Sequence, residues 1–333
     1  MNPLAPHITT FLRERLPRER GASEHTCDSY AYAFQLLFGF AARRLATAPS
    51  ALCIEHIDAA LVLAFLDHIE ADRGNSARTR NARLAAIKSF ARFLEYRVPA
   101  CLDQLRRILA IPSKKTDERL VGYLSREEAQ ALLDAPDPST RQGIRDRAML
   151  HLALAGGLRV SELVGLRVDD MIGQPRPAIR VCGKGRRERL LPLWKVTTTA
   201  LRTWLSIRGD ASCNEIFLNA RAEPLSRSGF EYILTKHAEA AATRQPSLAG
   251  KRVSPHILRH TCAMETLQAT RDIRKVALWL GHSSVQTTEI YVRADPTEKL
   301  DAIDAVVPPH LRRGRFRAPD KLLASLKPQA PGP

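Results

Sequence analysis

The segment SPHILRHT, at residues 254–261, decides how the C-terminal half of this chain folds. Ser254 is a favoured helix N-cap and Pro255 suits the first helical position, so the sequence predicts that a helix begins here. His256 and Arg259 are then neighbours, three residues apart, on one face of that helix. The two side chains can therefore face a common cleft.

A second helix end lies further along the chain. Gly281 predicts the end of a helix over residues 273–280, and this leaves His282 at a turn of the chain. Tyr291 follows in the next predicted helical segment. We expect His260 to lie on a different helical face from the SPHILRHT pair, in a packing or supporting role.

An upstream segment, GGLRVSEL at residues 156–163, supplies a second arginine. Arg159 begins a short predicted helix, and Glu162 lies three residues later, where its carboxylate can orient the guanidinium group. Taken alone, Arg159 is better explained as a structural arginine paired with Glu162. The other motifs favour a functional arginine.

The segment GKGRRE, at residues 183–188, joins two predicted strands over residues 178–182 and 189–193. This pattern predicts a β-hairpin with a basic tip, whose glycines let the backbone approach a ligand closely. A lysine at such a tip is usually solvated, and the arginines beside it are expected to attract phosphates. The basic residues of this segment are Lys184, Arg186 and Arg187, and Arg189 follows at the start of the next strand.

The order of these motifs resembles the tyrosine recombinase, or phage integrase, family, including its Xer-like members. That family has an arginine in a GLR-x-SEL stretch, a hairpin lysine, an H-x-x-R helix, a later LGH and a tyrosine nucleophile. The resemblance is strongest from about residue 120 to residue 291. The matching residues, in order, are Arg159, Lys184, His256, Arg259, His282 and Tyr291.

The resemblance implies that the chain breaks and rejoins DNA without a metal, ATP or another cofactor. Arg159 and Arg259 would hold the non-bridging phosphate oxygens, because planar guanidinium forks suit phosphate. Tyr291 would attack the phosphorus atom and form a 3′-phosphotyrosyl link. Lys184 would protonate the leaving 5′ oxygen as a general acid.

The two matched histidines would complete the cradle around the phosphate. His256 is also a candidate to accept the phenolic proton, whereas His282 only contributes to charge stabilisation. Each of these residues has an ordinary structural explanation, since single histidines and tyrosines commonly pack in cores or loops. Six such residues in the order of one family outweigh those explanations.

The composition agrees with a polyanionic partner. The chain has 51 Lys and Arg against 35 Asp and Glu, a net charge of +16 and a pI near 10.1. Charge alone does not separate nucleic acid from an anionic membrane surface. The sequence contains no apolar stretch long enough to span a membrane and no signal-peptide pattern, so we expect a cytoplasmic protein. The six cysteines lack metal-ligand spacing, and we expect no metal site.

The predicted fold class is mainly α with a small β-hairpin or sheet. Residues 1–109 are expected to form a helical, SAM-like core-binding domain of four or five helices, and residues 123–307 the catalytic domain. A polar linker joins them over residues 110–122, and residues 308–333 form a basic tail that we expect to be disordered.

A basic helix face is predicted in the first domain, on a helix over residues 76–97. We expect its cations and those of the linker to neutralise DNA phosphates, although a merely solvated face is the alternative at each position. These DNA-binding candidates are Arg78, Arg80, Arg83, Lys88, Lys114 and Lys115.

The family resemblance also implies the partners. These are double-stranded DNA and further copies of the chain, as a tetramer on two DNA sites, with accessory proteins or partner recombinases left open. An apolar stripe over residues 296–306 predicts a helix that packs on its own domain or, as in the family, docks into a neighbouring copy.

Two other function classes are weighed against recombination. A non-catalytic DNA-binding protein on the same scaffold is disfavoured, because decay usually removes a catalytic residue and all six are present. A type IB topoisomerase shares the chemistry, but the N-terminal helical region and the modest length disfavour it. Phage integration, transposition, cassette capture and chromosome-dimer resolution share one catalytic core, so the sequence leaves them open.

Overall fold

The computed structural model describes seven stretches of the chain, which divides into two compact units at residues 1–118 and 119–333. Lys184, Arg186, Arg187 and the predicted tail at residues 308–333 lie outside the described residues. The proposed limits of the linker and tail stay predictions. The stretches described are 1–117, 120–173, 177–183, 188–209, 212–282, 284–295 and residue 300.

The first unit is built from helices, as the apolar spacing predicts. The N-terminal helix α1 continues into a π-helical stretch, Phe11–Glu19, which contains Pro17. Proline lacks the N–H that an α-helix needs, and this accounts for the irregular turn there. The α-helices of this unit are α1 (Leu4–Thr10), α2 (Glu24–Arg44), α3 (Ala59–Ala71), α4 (Ala77–Leu94) and α5 (Leu102–Ala110).

An aromatic cluster fills the core of the first unit. The ring of Phe11 is 1% exposed and lies 5.2 Å from the ring of Phe90 and 5.3 Å from that of Phe93, between centroids. Phe34 meets Phe11 edge to face at 6.1 Å. Such tilted and edge-on contacts are favourable for aromatic rings, so this cluster ties α2 and α4 to the π-helical turn.

The second unit is mainly helical, with one small sheet. Its helices are α6 (Arg126–Leu133), α7 (Arg141–Gly156), α8 (Val160–Val164), α9 (Lys195–Arg208), α10 (Arg227–Ala242), α11 (Pro255–Thr270), α12 (Ile273–Leu280) and α13 (Glu289–Ala294). Its strands are β1 (Met171–Ile172), β2 (Ala178–Cys182) and β3 (Glu188–Pro192). The predicted fold class is confirmed.

The sheet is antiparallel, in the order β1-β2-β3. The predicted hairpin is present, with Ala178 opposite Pro192 and Cys182 opposite Glu188. Strand β1 was not predicted, because two residues carry no detectable alternation. Residues 216–218, expected as a strand or a core segment, are buried core with only isolated bridges beside them.

Local signals in the sequence explain where the helices of the second unit begin. Ser125 and Glu128 form the predicted capping box at the start of α6. The Ser254 hydroxyl accepts the N–H of Ile257, and Pro255 is the first residue of α11, as the SPHILRHT segment predicts. The two N-termini are therefore fixed by residues that the sequence displays directly.

A buried ion network links two helices of the second unit. Arg145 on α7 donates to the Asp146 carboxylate at 2.7 Å and to the carbonyl of Leu218 at 2.8 Å. His237 on α10 contacts the other Asp146 oxygen at 2.9 Å. The network satisfies charges that would be costly to bury alone.

None of the helices in the described part of the chain is long and apolar enough to cross a membrane.

Phe11→Ala tests the aromatic core. The substitution leaves a cavity among three phenylalanine rings, so we expect the free energy of unfolding to fall by about 3–5 kcal/mol. Urea denaturation of the full-length protein, followed by circular dichroism, measures this loss. Tyr96→Ala is the matched control, because Tyr96 is 91% exposed and its removal should leave the transition in place. An unchanged transition in Phe11→Ala would contradict the assigned core.

Candidate active site

Arg259 is a buried cation at the centre of the second unit. It is 5% exposed, and its guanidinium donates to the carbonyls of Gly157 and Leu280, the latter at 2.8 Å. These carbonyls lie at the C-terminal ends of α7 and α12, where backbone acceptors lack helical partners and carry partial negative charge. Burial and then the charge of Arg159 lower the pKa of Arg259 to about 10, so it remains a cation at neutral pH.

A shared carboxylate holds two further arginines. Arg159 is the N-cap of α8, and its Nη1 donates to Glu162 Oε1 at 2.8 Å. Arg189 on β3 donates to both oxygens of the same carboxylate, at 2.8 Å and 3.3 Å. The Glu162 side chain is 4% exposed and that of Arg159 is 35% exposed. Arg159 is therefore held on one side and open on the other.

The pKa of Glu162 reflects this pairing. Burial alone would raise the pKa of the carboxyl group, but the hydrogen bond and charge of Arg189, together with the Arg159 backbone and side chain, more than offset it. The pKa therefore lies below its usual value, and Glu162 is an anion at neutral pH. The carboxylate acts as an orienting group between two cations, as the sequence predicts for Arg159.

The sequence does not predict that Arg189 belongs to this cluster. The sequence predicts only phosphate attraction for Arg189, yet its side chain is 11% exposed and paired with Glu162. Leu191, two residues later on β3, is buried, and side chains two apart share a face of a strand, so Arg189 lies on the inner face. The sequence leaves this register open, because Leu190 is as apolar as Leu191.

Two glycines allow the helix ends to meet at this cluster. Gly157 and Gly281 have φ values of +55° and +64°, the left-handed conformation that ends α7 and α12. A Cβ at Gly157 would lie 2.6 Å from Leu280, and one at Gly281 would lie 2.9 Å from the Arg189 guanidinium. Residues 281 and 282 therefore pass close to the arginines, and this places His282 beside them.

Tyr291, the predicted nucleophile, is buried within α13. It is 1% exposed and packs among apolar residues of α11 and α12. Burial raises the pKa of its hydroxyl to about 12, although the positive charge of Arg259 acts in the opposite direction. The phenol therefore keeps its proton in this state.

Two histidines flank the Tyr291 ring. His282 lies parallel to it at 6.5 Å, and the His282 Nδ1 contacts the Thr288 hydroxyl at 2.8 Å. His260 places its Nδ1 3.0 Å from the Tyr291 hydroxyl. Burial and nearby cations, Arg259 first among them, lower the pKa of His282 to about 4, so this ring is neutral at physiological pH.

The prediction that His260 lies on a different helical face from His256 is wrong. His260 lies four residues after His256, which is one helical turn, and the two rings lie 6.4 Å apart. His256 itself is exposed. Among the described residues, the ring nitrogen within hydrogen-bonding distance of the Tyr291 hydroxyl belongs to His260 rather than to His256. The i, i+4 spacing was the available signal.

Lys184 completes the sequence motif but lies outside the described residues, together with Arg186 and Arg187. Strands β2 and β3 are described on either side of that segment. The described residues contain no group of three or more His, Cys, Asp or Glu side chains arranged to hold a metal ion.

The basic candidates of the first unit differ in their surroundings. Arg78 is exposed, while Lys88 is half-buried and has a pKa lowered by burial and by the charge of Arg92. Arg83 donates to the carbonyl of Ser29, and its guanidinium lies 4.8 Å from the ring centre of Tyr32. Arg83 is therefore a cation held in place at the surface.

Arg80 does not have the exposed position that the helix pattern predicted. It is 4% exposed, and its Nε lies 3.3 Å from a Glu70 oxygen that also binds the Lys114 ammonium at 2.7 Å. The Asn81 amide holds both the N–H and the carbonyl of Lys114. Arg80 thus anchors the start of the predicted linker, whereas Lys114 and Lys115 are exposed.

Sequence comparisons place both units in one family. Residues 122–298 match the profile described as "Phage integrase family", and residues 8–97 match "Phage integrase, N-terminal SAM-like domain". The chain is 48% identical over 325 residues to a putative integrase/recombinase, y4rC, of Sinorhizobium fredii, with 97% of each chain covered. It is 33% identical over 309 residues to the tyrosine recombinase XerC of Pelobacter propionicus, covering 92% of this chain and 97% of the relative.

Solved structures share the fold. The XerH recombinase bound to its palindromic difH substrate superposes with a TM-score of 0.66 at 20% identity, covering 89% of this chain and 84% of that one. The Tn1549 transposon integrase in complex with transposon right end DNA also gives 0.66, at 18% identity, covering 89% and 98%. Together with the arginine, histidine and tyrosine residues assembled in the second unit, these similarities show that the chain belongs to the phage integrase family, the tyrosine recombinases.

Proposed function

We propose that this protein is a site-specific recombinase that cleaves and rejoins double-stranded DNA through a 3′-phosphotyrosyl intermediate, without metal or ATP. The observation that carries the proposal is the position of Tyr291 in contact with His260 and beside His282, in the unit that holds Arg159 and Arg259, whose positive charges act on its hydroxyl. Phosphoryl transfer to a phenol needs this combination of nucleophile and fixed positive charge.

The two arginines have different parts in this proposal. Arg159 is partly exposed and held by Glu162, so its guanidinium can receive a phosphate oxygen without losing its orientation. Arg259 uses two of its donors on helix-end carbonyls, and a guanidinium group has five N–H donors in all. Its remaining donors are assigned to a second non-bridging oxygen. His282 contributes a neutral donor to the same oxygens.

Lys184 is assigned as the general acid, on the family motif alone. It would give a proton to the 5′ oxygen as the phosphorus–oxygen bond breaks, and recover one when a 5′ hydroxyl attacks the phosphotyrosyl link. Since the ester to Tyr291 replaces the broken phosphodiester, rejoining needs no ATP. Tyr291 is buried, so a scissile phosphate reaches its hydroxyl only after the covering residues shift.

The first unit is assigned to DNA binding. Arg78, Arg83 and Lys88 lie on α4, and Lys114 and Lys115 follow α5, so their cations can neutralise backbone phosphates. Arg73 and Tyr32, which the sequence analysis did not single out, hydrogen-bond beside Arg83 and extend the same surface. Arg80 is omitted from this set because Glu70 holds it in the interior.

A tetramer on two DNA sites is part of the proposal. A groove of about 890 Å³ in the second unit is lined by Leu190, Trp194, Leu278 and Trp279 but by none of the active-site residues. Its apolar side chains suit the stripe predicted over residues 296–306 of a neighbouring copy. We place the reaction in the cytoplasm. Integration, transposition, cassette capture and dimer resolution, and any accessory proteins, stay open.

Tyr291→Phe tests the nucleophile. Phenylalanine fills the same apolar site but has no hydroxyl, so we expect DNA binding to persist and covalent cleavage to fall below about one ten-thousandth of the wild-type rate. The measurement captures DNA-linked protein from cells and sequences the attached sites, with wild type and variant in parallel. Adducts at one or two repeated sites in wild type alone support the proposal. Equal adducts in the variant would refute the assignment of Tyr291.

Glu162→Gln tests the shared carboxylate. Removing the anion leaves two arginines unpaired, so we expect the unfolding free energy near pH 7 to fall by about 3–5 kcal/mol. Because the folded pKa lies below the usual 4.5, the stabilisation by Glu162 is present above that pH and is lost as the pH falls through the folded pKa. The difference between wild type and variant should therefore shrink in acid. Urea denaturation from pH 7 to pH 3 measures it.

The exposed Glu231→Gln is the matched control for that series and should follow wild type at every pH. A deficit in Glu162→Gln that stays constant across the pH range would contradict the ionised carboxylate.

Arg83→Ala tests the DNA surface of the first unit. Loss of one phosphate contact should weaken binding to all sequences alike and reduce the slope of log affinity against log salt by about 1. Fluorescence anisotropy with a DNA duplex over a salt series measures both. Arg107→Ala is the control, since Arg107 is 74% exposed on α5 and pairs with Asp103. Equal slopes for Arg83→Ala and wild type would remove Arg83 from the interface.

A further inference from the structure

The hydroxyl of Tyr291 has a defined partner that the family motif does not include. The Nδ1 of His260 lies 3.0 Å from this oxygen, and the two rings meet at 61° with 5.5 Å between centroids. His256, the motif histidine first considered as the proton acceptor, is exposed, and its described ring contact is with His260 rather than with Tyr291. The contact therefore singles out His260.

The placement of His260 on α11 fixes its geometry relative to the phosphate. Arg259 and His260 are consecutive residues of one helix, which is capped by Ser254 and anchored by Arg259 to the ends of α7 and α12. A phosphate held by Arg259 and a phenol held by His260 are thus positioned by one rigid element. Such positioning of base, nucleophile and electrophile is what proton transfer during bond formation requires.

The charges around His260 keep its ring neutral. Cations and histidines face it from its own helix, and Tyr291 and His282 face it from the segment after α12. Burial, His256 and Arg259 lower the pKa of His260 to about 4, so its ring is neutral and has one nitrogen able to accept a proton. We assign the tautomer that carries its hydrogen on Nε2, in which the Tyr291 hydroxyl donates to His260 Nδ1 across 3.0 Å.

We propose that His260 is the general base that removes the proton of Tyr291 during DNA cleavage. The inference rests on the proposed recombinase function and adds one catalytic residue to it. As the bond from the Tyr291 oxygen to phosphorus forms, the phenolic proton passes to His260 Nδ1, and the bond from phosphorus to the 5′ oxygen breaks. The general acid protonates that 5′ oxygen.

Rejoining reverses these transfers. A 5′ hydroxyl attacks the phosphotyrosyl link and gives its proton to the general acid, while His260 returns its proton to the departing Tyr291 oxygen. In the resting site the low basicity of His260 and the high pKa of the phenol prevent ionisation. Transfer becomes favourable only as phosphorus withdraws electrons from the attacking oxygen, so the reactive phenolate is not released without DNA.

The test compares His260→Asn and His260→Ala with wild type in single-turnover cleavage of a nicked substrate that carries the protein's own site. Asparagine keeps a hydrogen-bonding group near Nδ1 but cannot take up a proton. We expect both variants to lose about 10²–10⁴-fold in cleavage rate, with DNA affinity retained. Their residual rates should rise with pH as hydroxide replaces the base, until Arg259 begins to lose its charge near its pKa of about 10, whereas the wild-type rate levels off at lower pH.

A second substrate distinguishes the role of the general base from that of the general acid. DNA with sulfur in place of the bridging 5′ oxygen has a leaving group that needs no proton, so it should restore cleavage by Lys184→Ala but not by the His260 variants. His237→Asn is the control for a buried histidine, and it should alter stability without changing the pH profile. Wild-type levels of cleavage by His260→Asn, or faster cleavage, would overturn the inference while leaving the recombinase function intact. Absence of any wild-type adduct would instead refute the function.

Discussion

The rest of the candidate active site depends on the ion pairs that the buried Glu162 carboxylate makes with Arg159 and Arg189. Three arginines lie in one small region of the second unit, and like charges at such distances repel strongly in a medium from which water is largely excluded. Glu162 accepts hydrogen bonds from Arg159 and Arg189 and thereby makes it possible to keep them close. The same bonds keep the carboxylate ionised despite its burial, so the cluster is mutually stabilising.

The buried positive charge of Arg259 is stabilised in a different way. No carboxylate in the described part of the chain pairs with it, and its hydrogen-bond acceptors are the carbonyls that end two helices. Partial negative charge from two helix C-termini compensates for desolvation without neutralising the cation. Positive charge is thus retained in the interior of the unit, where a phosphate entering the site would experience it with little screening. Fixed charge of this kind is most useful for a transition state that gains negative charge.

The sequence predicted the helices and the hairpin well because their signals are local. Ser254 and Pro255 predict the start of a helix, and Gly281 predicts the end of one. The two predicted strands on either side of GKGRRE indicate a hairpin. The family motif likewise supplied Arg159, Glu162, Arg259, His282 and Tyr291, which the structure places in one unit. The roles of these residues stay proposals. What the sequence could not supply was contact between segments that are far apart in the chain.

Arg189, Arg80 and His260 show how that limit arises. Arg189 joins β3 to α8, and Arg80 joins α4 to Glu70 on α3, so each pairing depends on tertiary packing rather than on sequence spacing. A basic residue in a basic segment gives no sign that it is paired with a distant carboxylate. His260 is different, because the sequence shows that it lies four residues, or about one helical turn, after His256. Its contact with Tyr291 joins residues 31 apart in the chain, and only the folded structure reveals it.

The double use of Arg259 has a consequence for how such a protein can lose its activity. Because this side chain binds two helix ends and, in the proposed mechanism, also a phosphate oxygen, a substitution there removes structure together with charge. Tyr291 can lose its hydroxyl with much less disturbance of packing. A lineage that kept DNA binding but abandoned strand exchange would therefore be expected to discard the nucleophile first and to preserve the buried arginine, so that Arg259 alone is a poor marker of catalysis.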